Sequence, residues 1–218
     1  MGTNICALSN HTIDVEQGGA SILAQVADRL SINIFQRKRE HKEFFPTKQW
    51  CVSLLSDNSG DWVDDPDITW LHNQSFDLRY YQSEQESDLT ITIFPKLVQL
   101  YLEQSYEWTS FATDVVFDTG EKDFFGTYRN ATLAAAKLLG HNNVLYMGDK
   151  LMNQIFDWDY KDTVETLVER GKAENLVIWD IATRTTISGT VPDNLSEYDY
   201  AFHQFMMIED VRLLSHSQ

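Results

Sequence analysis

The stretch FDLRYYQSEQESDLTITI, residues 76–93, alternates apolar and polar positions on either side of a polar middle. Phe76, Leu78 and Tyr80 interleave with Asp77, Arg79 and Tyr81, and after Gln82 to Asp88 the residues Leu89, Ile91 and Ile93 interleave with Thr90 and Thr92. Successive side chains of a strand point to opposite faces, so a period of two marks a half-buried strand. The seven-residue connector makes the pair a hairpin with a long loop. The pair is expected in an antiparallel sheet with one covered face.

Helical patterns lie on both sides of this hairpin. Gly18 and Gly19 precede Ile22, Leu23, Val26 and Leu30, which share one face of a helix. Pro95 is suited to the first turn of a helix carrying Leu97, Tyr101 and Trp108, because proline lacks an amide where none is needed. Asp123 to Leu139, rich in alanine and leucine, is the strongest helix, and Gly140 can close it in the left-handed conformation.

Further on the pattern becomes strand, helix, strand. Val144 to Met147 reads as a buried strand, and Asp162 with Glu165 resembles a capping box. Val164, Leu167 and Val168 form a helical stripe, Gly171 stops it, and Leu176 to Ile181 is the next strand. A helix between two strands predicts a parallel crossover pair. Ile181 to Ser188 adds a hairpin through Ala182 to Arg184, and the apolar tail from Tyr200 to Leu214 fits either helix or strand. No repeat or low-complexity linker divides the chain. The expected fold is therefore a single α+β domain, residues 1–218, with a mixed, largely antiparallel sheet packed by helices.

The charge is the unusual quantity. Thirty-three acids against seventeen bases leave a net charge of −16 in 218 residues, of which 43% are hydrophobic and 12% aromatic. From Asp57 to Asp88 there are nine acids and Arg79 alone as a base, and from Asp149 to Asp210 thirteen acids and five bases. Only Arg29 to Lys48 is basic, centred on Arg37, Lys38, Arg39 and Lys42. Such a balance disfavours direct nucleic-acid binding and anionic membranes, both of which require positive charge facing phosphate. A basic protein partner is its natural complement, and a fold that gathers the acidic stretches would present them together.

Two segments combine acids with large aromatics, a composition that suits binding hot spots. The first is Asp57, Asp61, Trp62, Asp64, Asp65, Asp67 and Trp70; the second is Asp157, Trp158 and Asp159. Asp57, Ser59 and Asp61 imitate the start of a calcium loop, but Trp62 stands where glycine is needed and Ile68 where a bidentate carboxylate is needed. No metal site and no cofactor is expected. Asp149 follows Gly148 at the end of a buried strand, where ligands of open α/β sheets sit.

Phosphate loops, dinucleotide turns, HExxH and GxSxG are all absent. Cys6 and Cys51 have no metal-ligand spacing and read as two buried thiols. Met1 to Asn10 lacks the pattern of a secretory signal and no run is long enough to span a membrane, which makes the cytoplasm the expected compartment. The favoured function is a protein-binding module of immunity or inhibitor type that neutralises a basic partner. The alternatives are an enzyme holding a divalent metal through carboxylates such as Asp57, Asp61 and Asp149, and an acidic mimic of nucleic acid.

Overall fold

The alternating pair is a hairpin: β4 (Phe76–Tyr81) and β5 (Leu89–Ile93) run antiparallel, with Phe76 opposite Ile93 and Tyr80 opposite Leu89. The structure, a computed structural model, describes residues 4–16, 19–30, 34–36, 49–54, 76–81, 89–102, 108–118, 123–156, 161–191 and 204–210. The connector Gln82 to Asp88 lies outside them. The remaining strands are β1 (Ile5–Asn10), β2 (Ile34–Gln36), β3 (Gln49–Leu54), β6 (Leu97–Leu102), β7 (Asn143–Gly148), β8 (Val177–Asp180), β9 (Thr185–Ser188) and β10 (Phe205–Asp210). Together they form a ten-stranded sheet in the order β2-β3-β4-β5-β6-β1-β7-β10-β8-β9. Five helices accompany it: α1 (Gly19–Leu30), α2 (Trp108–Phe117), α3 (Asp123–Leu138), α4 (Asp149–Ile155) and α5 (Val164–Ala173). These elements make one α+β domain with a mixed, largely antiparallel sheet.

The central strands are covered on both faces, not on one. Ile5 and Ala7 of β1, Val144 and Tyr146 of β7, and Phe205 and Met207 of β10 meet Ile22, Trp108, Phe111 and Leu133 from α1 to α3. Cys6, Leu8, Leu145, Met147 and Met206 point the other way, to Leu151 and Ile155 of α4 and Leu167 of α5. Burial on both sides makes these strands continuous apolar runs without alternation. That is why the tail fits either helix or strand by its sequence, and β10 lies inside the sheet with Phe205, Met206 and Met207 buried.

Four expectations are corrected. Pro95 does not start a helix: with Lys96 it forms the reverse turn between β5 and β6, closed by the Phe94 amide on the Leu97 carbonyl at 2.8 Å. Proline suits such a turn as well as it suits a helix start, because it fixes φ. Leu97 and Tyr101 therefore stand on a strand, and a helix begins only at Trp108. The crossover through α4 and α5 does not join a parallel pair either. β10 inserts between β7 and β8, antiparallel to the first and parallel to the second.

The N-cap of α5 is Thr163, not Asp162, and Thr166 completes the capping box. Asp162 is instead buried and accepts hydrogen bonds from Arg170 Nη1 at 3.0 Å and Nη2 at 2.7 Å. Gly171 lies inside α5, where a Cβ would come within 2.8 Å of Met206 Sδ. It permits close helix-to-sheet packing. The left-handed residue ending the helix is Asn175, whose φ is 58°.

Other expectations hold. α1 buries Ile22 and Val26. α3 ends at Gly140 with φ 96°, and amides of Gly140 and His141 close on the carbonyls of Lys137 and Ala136. This is a complete Schellman motif. The β8–β9 hairpin turns through residues 181–184, where Asp180 Oδ1 accepts from the amides of Ala182 and Thr183. Cys6 is a free, buried thiol, whereas the side chain of Cys51 lies outside the described residues. Among the described residues no helix is long and apolar enough to cross a membrane.

Candidate functional site

Every residue of the two acid-aromatic segments lies outside the described residues: Asp57, Asp61, Trp62, Asp64, Asp65, Asp67 and Trp70 in 55–75, and Asp157, Trp158 and Asp159 in 157–160. The basic stretch Arg37 to Lys42 also lies outside them. What the fold defines is where the residues that flank the acidic segments stand. The first is bracketed by Leu54 at the end of β3 and Phe76 at the start of β4, which stand opposite each other. Following the register across the sheet, that end also carries the β5–β6 turn, Asn10, Asn143 and Asp210.

The second segment is bracketed at the same end. Phe156 is buried and packs on Phe94 in the β5–β6 turn, with ring centroids 5.1 Å apart. On the far side the Val164 amide donates to Asn10 Oδ1 at 2.8 Å, and Asn10 Nδ2 donates to Glu165 Oε2 at 2.9 Å. Burial pushes the Glu165 carboxyl up, but the bonds from Asn10, its own backbone and Thr163 outweigh it and hold the group below its ordinary value. Asp162, locked to Arg170, fixes the same chain entry, and Arg170 also donates to the Ile155 carbonyl. The attachment points of the two segments are thus two to three and a half strands apart, roughly 10–17 Å at ~4.8 Å per strand.

His11 ties this end together. Its Nδ1 accepts from the Ile13 amide at 3.1 Å, so Nε2 carries the proton and donates to the Phe94 carbonyl at 2.7 Å. Burial lowers its pKa, the bond to Phe94 opposes this, and the Arg29 charge adds to the lowering. The unfolded chain then takes up this proton more readily than the folded one. Its contribution to stability is complete above the unfolded value near 6.5 and declines as pH falls below it. Urea titrations between about pH 8 and 5 are expected to show this decline in the wild type and less of it in His11→Gln. Equal pH slopes in both would contradict the assignment.

Asp149 lies at the opposite end of the sheet. It begins α4 directly after β7, with its amide on the Asn4 carbonyl at 3.1 Å and its Oδ2 accepting from Asn4 Nδ2 at 3.0 Å. Asn4 Nδ2 also contacts the Tyr101 hydroxyl, while Asp149 Oδ1 is buried and has no hydrogen-bond partner among the described residues. Asp149 does not stand in the ligand position expected from the sequence, because β7 is antiparallel to both neighbours and its end is no parallel-strand crevice. Asp149 is also separated by the length of the strands from the bracket of Asp57 and Asp61, about 17–20 Å for six residues. No group of three or more His, Cys, Asp or Glu placed to hold a metal occurs among the described residues.

Two features had no sequence signal. Glu209 is buried on β10 and accepts from Arg129 Nε at 2.7 Å and from Nη2, so two of the acids counted downstream, Asp162 and Glu209, serve internal ion pairs. Partners eight and eighty residues apart follow no local spacing. No protein-family model matches the chain, and no curated protein or solved structure matches it.

Proposed function

We propose that the protein is a binding module that neutralises a basic protein partner, as immunity proteins and protein inhibitors do. The observation that carries this reading is the common bracket: the described residues that flank the two segments richest in acids and tryptophan lie at one end of one sheet. The net charge of −16 supplies the long-range attraction. Complementary charge speeds encounter and sets specificity, and aromatic anchors slow release. The fixed flanks at Phe156, Asp162 and Val164 support it further, since an anchored segment loses less entropy on binding.

The test is comparative capture. Immobilised wild-type protein and a variant with Asp61, Asp64 and Asp65 changed to Asn are exposed to the same cell extract at low and physiological salt. A basic protein retained by the wild type and lost with the variant is the expected result. Equal retention by both, or retention of acidic proteins only, contradicts the proposal.

A further inference from the structure

We draw no further inference here: the strongest candidate, the cleft between α2, α3 and the β8–β9 turn that Gly126, Arg129 and Arg184 line, carries nothing, since its two arginines are already paired with Glu209 and Asp118 and nothing in the structure shows what covers it.

Discussion

Arg129→Met is expected to destabilise the fold by about 3 kcal/mol, the lower end of the range for breaking a buried ion pair. Glu209 is 1% exposed, and Arg129 is its partner through two hydrogen bonds. Removing the guanidinium leaves a carboxylate enclosed by apolar strands with no compensating charge among the described residues. The lower end applies because Arg129 is itself 31% exposed, so water already screens part of the pair. Replacing both partners, Arg129→Met with Glu209→Leu, is expected to recover most of the loss, since the desolvated charge is then gone. Urea midpoints at constant m measure both variants. A loss below about 1 kcal/mol for the single variant would show that Glu209 is not held by this pair.

Gly140→Ala is expected to cost a further large amount, about 3 kcal/mol, from two sources. The left-handed φ of 96° is unfavourable for alanine, and the new methyl would overlap Thr12 Oγ1. Thr12 cannot yield freely: its hydroxyl accepts from Arg29 Nη1 at 2.7 Å and donates to the Leu139 carbonyl at 3.3 Å. Adding Thr12→Ala to Gly140→Ala removes the overlap and leaves the backbone strain, so a double-mutant cycle by urea unfolding separates the two sources. Strict additivity of the two changes would contradict the contact.

These two sites differ in how far the sequence announced them. Gly140 was legible because an alanine- and leucine-rich run followed by glycine is a local signal, and the cap forms within that run. The β4–β5 hairpin was legible for the same reason: alternation over a few residues requires no knowledge of partners. The neighbours of a strand are a different matter. Nothing in Val144 to Met147 or Leu176 to Ile181 records that β10, from the distant tail, inserts between them. Asp162 and Glu165 match a capping box by spacing, yet Thr163 and Thr166 have that spacing too and won, because Asp162 gains more from Arg170 in a buried position. Pro95 suits two local structures, and the pairing of β5 with β6 decided between them.

The candidate interface was legible only as composition. Acids and tryptophans in 57–70 and 157–159 are visible in the chain, but their common attachment depends on the register of strands far apart in sequence. The same register separates Asp149 from that end. Arg129, Arg184 and Gly126 were invisible as a group, since α3 and the distant β8–β9 turn bring them to one cleft.

The central claim is that the two segments act together on a basic partner, and association kinetics test it most directly. With the captured partner in hand, binding is followed at two ionic strengths for the wild type, for Asp61, Asp64 and Asp65 changed to Asn, for Asp157 and Asp159 changed to Asn, and for Trp62→Ala. Either neutralisation is expected to slow association and flatten its salt dependence, because exposed charges act on encounter. Trp62→Ala is expected to speed dissociation instead, because an aromatic anchor holds the formed complex. If all four proteins associate and dissociate at the same rates at both ionic strengths, the acidic segments are solvated faces and the claim is wrong.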